Sequence, residues 1–182
     1  MLWWLGYVAL LLVLVVRVQT PGTAVHRPLR AGPDEPRALV KAHHAVFYAI
    51  LLGAPLEALV HGGAPGGRAA GLLLFAAGVL IYRVSGRALG DSLSPLVSPR
   101  PGGRLVTRGP YRRFRHPMYA GQALIAVGAP LTLGSRWIVW QAIPAIAILA
   151  IRARLEDAAL ARAYPEHGPW AARTTWLIPF VL

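Results

Sequence analysis

Apolar runs long enough to enter a bilayer, separated by charged connections, set the pattern of this chain. Against the ~20 apolar residues a helix needs to cross hydrocarbon, five spans can be counted. They run over residues 2–18, 43–60, 69–82, 117–135 and 137–151. Trp3, Trp4 and Tyr7 in the first are placed like an interfacial belt. The second carries Pro55 and Glu57, and the third extends past its end because Arg83 and Arg87 can snorkel. The fourth has no charge, and Arg136 marks the short turn into the fifth. Between spans lie a proline- and arginine-rich connection (19–41), a glycine-rich turn (62–67) and a long basic loop (84–115). After the fifth span, residues 152–164 keep a helical spacing through Leu155, Ala159 and Leu160 until Pro165 breaks it. The apolar stretch from Trp176 to Phe180 then turns back towards the membrane.

Composition narrows the class. Hydrophobic residues make up 55% of the 182 positions and charged ones only 14%, which is wrong for a soluble globule of this size. Nineteen basic residues against seven acidic give a net charge of +12, and Lys41 is the only lysine. Without a soluble basic face or a base-reading module, that excess does not indicate nucleic acid. Arginines flanking apolar runs serve instead as anchors at the headgroups. The absence of cysteine excludes disulfides, thiolate metal sites and cysteine nucleophiles. No positive residue precedes Arg17, so the first span reads as a retained anchor rather than a signal peptide. Arginines concentrate after spans one and three and in the tail, whereas the other two turns hold one each, Arg68 and Arg136. The positive-inside bias therefore predicts an outer N-terminus, with both long loops and the C-terminus cytoplasmic.

The chemistry gathers around residues 109–121, a basic and aromatic stretch that runs directly into the fourth span. Pro117 suits the first turn of a membrane helix, where its missing N–H costs nothing. His116, Tyr119 and the arginines then sit at the water–lipid boundary as the lip of a binding site. His116 taken alone is equally an interfacial histidine bonded to a backbone carbonyl. Downstream, Arg152 and Glu156 lie four apart and share a helix face, which as a surface pair is worth only ~0.2–0.5 kcal/mol. Arg152 follows fifteen uncharged residues that span ~22 Å. At that bilayer edge its guanidinium either snorkels to phosphates or holds an anionic group bidentately. His43, His44 and His61 lie near opposite ends of the second span, so a shared metal site is not expected. Glu57 is placed to snorkel to water beside Pro55.

Two groups of residues carry a resemblance. The first is Leu105-Val106-Thr107, Gly109-Pro110-Tyr111 and Arg115-His116-Pro117-Met118-Tyr119 with Gly121. The second is Arg152, Glu156-Asp157, Leu160 and Tyr164, closing with Leu177-Ile178-Pro179. Together they resemble the isoprenylcysteine carboxyl methyltransferase-like family of integral-membrane methyltransferases, related to phospholipid methyltransferases. The first group is long and specific, whereas the second is weak alone. The resemblance implies S-adenosylmethionine as methyl donor, held without a nucleotide-binding Rossmann unit. It places the donor on Gly103, Arg104, Leu105, Val106, Tyr111, His116, Pro117, Met118, Tyr119 and Glu156. Arg152 matches the arginine that faces the acceptor, so Arg152 and Glu156 form the catalytic pair. Where the family shows glycine and two tyrosines after Tyr164, this chain has Pro165, His167 and Trp170.

The expectation is therefore an all-α integral membrane protein of about five transmembrane helices in a single domain, residues 1–182. Residues 1–100 supply three helices and a loop, and residues 101–182 the donor-binding half, closed by a cytoplasmic tail. It methylates a lipophilic or lipidated acceptor at the membrane, with a carboxylate as the leading acceptor group. The alternatives are a phospholipid-amine N-methyltransferase and a non-catalytic scaffold that keeps the fold. No metal is expected.

Overall fold

The structure is a computed structural model describing residues 1–16 and 35–176. The closing Leu177-Ile178-Pro179 element, the rest of the returning apolar stretch and most of the 19–41 connection lie outside the described residues. Among the described residues six α-helices follow one another: α1 (Leu2–Val16), α2 (Arg37–His61), α3 (Arg68–Leu89), α4 (Pro117–Leu133), α5 (Ala142–Ala163) and α6 (His167–Ala171). Short 3₁₀ turns lie at Gly90–Ser92, Gly109–Arg112 and Ile138–Gln141. Among the described residues no sheet forms, and one parallel bridge joins Phe114 to Thr175. The protein is all-α and integral to the membrane. Among the described residues, three stretches are long and apolar enough to cross a bilayer by themselves: Arg37–His61, Arg68–Ser92 and Ile138–Ala163. At 15 and 17 residues, α1 and α4 are shorter than a straight crossing needs.

Helices outrun the apolar runs that predict them. α2 begins at Arg37 rather than His43, and α3 extends past Tyr82 through Arg83 and Arg87 to Leu89, as expected of snorkelling arginines. A polar first or last turn continues the hydrogen-bond ladder beyond the hydrocarbon, where water satisfies its charges. α5 likewise runs unbroken through the predicted tail helix to Ala163, before Pro165.

Helices α3 and α4 form the tightest pair. Glycines let their backbones touch: a Cβ on Gly78 would stand 2.7 Å from the Gly121 carbonyl oxygen, and one on Gly128 2.4 Å from the Phe75 nitrogen. Membrane helices gain attraction from such close approach because hydrophobicity cannot drive them together in lipid. Around this pair Tyr7, Ala54, Phe75, Val79, Ile125, Ala129 and Leu133 make one core from four helices. The Tyr7 hydroxyl donates to the Leu51 carbonyl at 2.6 Å and so ties α1 to α2. A second cluster of Ile50, Ala126, Ala142 and Ala145 seats α5, and a third of Tyr119, Leu149 and Ala153 leads to the site. Leu52, Leu56 and Leu59 on α2 and Ile143 on α5 face outward, as lipid-facing positions should.

At one end of the bundle the α2–α3 and α4–α5 turns lock together. Ala64 donates to the Gly134 carbonyl at 2.9 Å, and Arg68 donates to the Ala64 and Gly63 carbonyls. Glu57 does not snorkel to water, contrary to its expected role. Its carboxylate accepts from the Ser135 hydroxyl at 2.6 Å and from the backbone N–H groups of Arg136, Trp137 and Ile138 at 2.7, 3.0 and 3.0 Å. Those N–H groups begin a helix and have no acceptor within it, so the carboxylate caps them.

Candidate active site

The opposite end carries the chemistry. The loop before α4 reaches its helix at His116, followed by Pro117 at the first helical position. His116 is 4% exposed and stacks on Tyr119, ring centroids 5.6 Å apart. Its Nε2 meets Asp157 Oδ1 at 3.0 Å, and its Nδ1 stands 3.8 Å from Glu156 Oε2. The interfacial-histidine alternative, a bond to a backbone carbonyl, is replaced by this carboxylate pairing. The Tyr119 hydroxyl interacts with both Glu156 and Arg152, and the Arg152 guanidinium lies 5.9 Å from the Tyr119 ring centre. His116, Tyr119, Arg152 and Glu156 thus converge from α4 and α5 although about forty residues separate the two pairs in the sequence. Glu156 keeps 27% of its side-chain surface exposed, so the cluster opens to one side.

Arg152 and Glu156 do not form the surface ion pair that their spacing suggests. Arg152 is 3% exposed; its Nη1 meets His43 Nδ1 at 2.8 Å and its Nη2 donates to the Pro95 carbonyl at 3.0 Å. Its Nε is buried and has no partner.

Asp157 organises the other side. It pairs with Arg115 at 3.0 Å, accepts from His116 and approaches His167 Nε2 at 3.5 Å. Asp157 appears in the second motif, but spacing gave it no role. The signal is electrostatic scarcity, since seven acidic residues against nineteen basic ones leave no carboxylate to spare beside Arg115 and His116.

The tail wraps the lip. Arg115 and His116 donate their backbone N–H groups to the Thr175 and Trp176 carbonyls at 2.9 and 3.2 Å. The Trp176 ring stands edge-on to His116, with the Arg154 guanidinium 5.6 Å from its centre. Two of the three departures from the family pattern also fasten this region. His167 faces Asp157, and Trp170 donates its indole N–H to the Tyr111 carbonyl at 2.9 Å. Tyr111 itself is buried, and burial first, then the charge of nearby Glu156, holds its hydroxyl well above the usual phenol range.

The remaining predicted donor contacts lie along the approach to Tyr111. Gly103 bonds the Arg100 carbonyl at 2.9 Å, and its Cα faces the Tyr164 hydroxyl. Arg104 donates its backbone N–H to Ser92 Oγ at 3.1 Å. Val106 is buried, whereas Leu105 and Met118 are half-buried. No direct contact joins Gly103 or Arg104 to His116 or Glu156 among the described residues. An apolar groove between α1 and α3, lined by Leu10, Val13, Ala76, Leu80 and Arg83, contains none of the site residues. His43 and His61 fall at opposite ends of α2.

Residues 67–167 match the phospholipid methyltransferase family, more than half of the chain. No curated protein matches. Among solved structures, the chain is similar to a eukaryotic intramembrane Ras methyltransferase, isoprenylcysteine carboxyl methyltransferase, with a TM-score of 0.59 at 17% identity. The alignment covers 97% of this chain and 63% of that one, so this chain spans less than two thirds of its neighbour's length. At that identity the likeness concerns the fold.

Proposed function

The chain belongs to the phospholipid methyltransferase family and is a membrane methyltransferase; we propose that it takes its methyl group from S-adenosylmethionine and delivers it to a carboxylate on a lipophilic acceptor. One observation carries the choice of acceptor: the buried Arg152 guanidinium with an unpartnered Nε, beside Tyr119 and Glu156. A buried cation with a free N–H edge suits an anion, because two parallel charge-assisted bonds offset the cost of burying both charges.

The residues present also suit the donor. Its amino-acid end needs both acceptors and donors of hydrogen bonds, and the cluster supplies Glu156 and the His116 Nδ1, left without a proton by the Nε2–H bond to Asp157, as acceptors, with Tyr119 as donor. Tyr111 and Tyr119 offer aromatic faces to a sulfonium or an adenine. When bound, S-adenosylmethionine supplies a methyl group on a sulfonium that departs as a neutral thioether. The chain's own work is positioning and exclusion of water, which suffices for an in-line displacement on an anionic nucleophile. Arg152 orients the acceptor oxygen, the 113–116 and 174–176 segments cover the donor, and no general base is required. The positive-inside pattern puts this site at the cytoplasmic face, with the acceptor arriving laterally from the lipid.

The second reading, methylation of a phospholipid amine, is favoured by the description of the matching family. It requires a base beside the amine, and His116 is the one candidate in the cluster, already bound to Asp157.

Calorimetry of the detergent-purified protein with S-adenosylhomocysteine tests the donor site. Binding in the micromolar range should vanish in His116→Ala and Glu156→Ala while both remain folded. Arg152→Ala should keep that binding yet lose transfer of a labelled methyl group. Retained donor affinity in both of the first two variants would remove the assignment. The acceptor class is read from the product, since a methyl ester releases methanol in base and an N-methyl group does not.

A further inference from the structure

We infer that His43 is a positioning residue for Arg152, holding the guanidinium through a neutral acceptor so that its charge and one N–H edge stay available to the acceptor anion. The inference rests on the reading of Arg152 as the acceptor-facing group. It adds a residue from α2, outside the matched segment 67–167.

An arginine only donates hydrogen bonds, so the imidazole nitrogen 2.8 Å from Arg152 Nη1 must be the one without a proton. His43 is therefore neutral, with its proton on Nε2. The second anchor, the Pro95 carbonyl on Nη2, is also uncharged. Two neutral acceptors fix the plane of the fork without cancelling its charge. Arg115 shows the contrast, because Asp157 both holds and neutralises it. With Nη1 and Nη2 committed, the buried Nε and the second Nη2 hydrogen form the remaining edge, the geometry that meets a carboxylate with two parallel bonds.

Both anchors are themselves braced. The His43 ring packs edge-on to Phe47 at 4.9 Å and stacks on His44 at 5.4 Å. His44 in turn faces the Val40 carbonyl at 2.8 Å. Pro95 sits in a loop clamped by buried Glu35, whose carboxylate accepts from the Val97 N–H at 2.7 Å and from the Ser98 hydroxyl at 2.8 Å. The beginning of α2 thus supports the arginine twice, directly through His43 and through the loop that Glu35 secures.

The test uses the full chain in micelles with S-adenosylhomocysteine bound. His43→Leu keeps bulk without a lone pair, and His43→Asn returns an acceptor oxygen near the Nδ1 position. Proton–nitrogen spectra of the Arg152 guanidinium, assigned with Arg152→Lys, should show separate Nη hydrogens in the wild type and in His43→Asn. In His43→Leu they should merge through free rotation. Separate signals in His43→Leu would overturn the inference. With N-acetyl-S-farnesylcysteine as acceptor probe, losing one charge-assisted hydrogen bond should raise KM about tenfold in His43→Leu. The donor Kd should stay unchanged, and His43→Asn should recover most of the loss. Equal loss of donor affinity and of acceptor KM in both variants would show a merely structural role and also overturn it. Wild-type turnover of that probe by Arg152→Lys, or none by the wild type, would instead sink the carboxylate reading, and the guanidinium spectra would still decide the part played by His43.

Discussion

Two carboxylates at opposite ends of the bundle show how differently this chain uses its few acidic residues. Glu57, on α2, has four donors at 2.6 to 3.0 Å and nothing further to accept. Glu156, on α5, meets the Tyr119 hydroxyl, stands 3.8 Å from His116 Nδ1 and opens to one side. A saturated carboxylate fixes backbone, and an unsaturated one keeps its lone pairs for a ligand. The same contrast holds for the arginines. Arg68 closes a turn on two carbonyls, whereas buried Arg152 leaves Nε unpaired. Burying an unmet polar group costs free energy, so such groups persist where something else meets them. One end of the molecule is a latch and the other a candidate site.

The sharpest way to break that comparison is to remove the latch. Glu57→Ala leaves the Ser135 hydroxyl and three backbone N–H groups without their acceptor. Because the region is partly exposed, water recovers some of the loss, and the net cost should be about 2 kcal/mol. Thermal unfolding in detergent should show the fall, while donor affinity of the folded protein stays at the wild-type value. A large loss of donor affinity at unchanged stability would mean the two ends are not separate in kind.

A smaller effect lies at the site end. Asp157→Asn keeps the volume but replaces one oxygen by an amide that repels the donors of Arg115 and His116. His116 then loses the partner that sets its proton on Nε2, as when a histidine's orienting carboxylate is replaced by an amide. Donor affinity should drop about tenfold, ~1.4 kcal/mol, read by titration with S-adenosylhomocysteine. Stability should change less, because the Arg115–Asp157 pair is partly exposed and such pairs contribute little. An unchanged affinity would detach His116 from the donor.

These roles were not equally legible in the sequence. The apolar runs locate α2, α3 and α5 because backbone in lipid must satisfy itself as helix, but they misplace the start of α2, where Arg37 and Lys41 carry the helix beyond the hydrocarbon, whereas Arg83 and Arg87 extend α3 as their snorkelling predicts. His116, Tyr119, Arg152 and Glu156 were legible because two compact motifs hold them, and the fold needs only to bring the motifs together. His43 and Glu57 were not. Their partners lie 109 and 78 to 81 residues away, and no local spacing encodes a histidine facing a distant arginine or a carboxylate capping another helix. Local spacing raises His43 only for a metal site and sets it aside there, whereas its chemistry is that of a neutral acceptor. Gly103 and Arg104 rest on the family resemblance alone, and their contacts are with the Arg100 carbonyl and Ser92 rather than with the His116 cluster.

The smallest effect tests whether the tail belongs to the site or only lies beside it. Trp170 stands where the family pattern has a tyrosine, and its indole N–H reaches the Tyr111 carbonyl at 2.9 Å. Trp170→Phe removes that bond and keeps an aromatic ring against His167, now 5.5 Å away. One neutral hydrogen bond contributes about 1 kcal/mol, so unfolding temperature should fall only slightly. The informative readout is proteolysis of the tail beyond Ala163. If α6 and the Thr175 bridge fasten the lip from outside, cleavage in Trp170→Phe should quicken without donor and slow again when S-adenosylhomocysteine is present. Protection by the donor would mean that the tail and the His116 lip close as one unit. Cleavage indifferent to donor would confine the site to α4 and α5, leaving the tail as a structural strap.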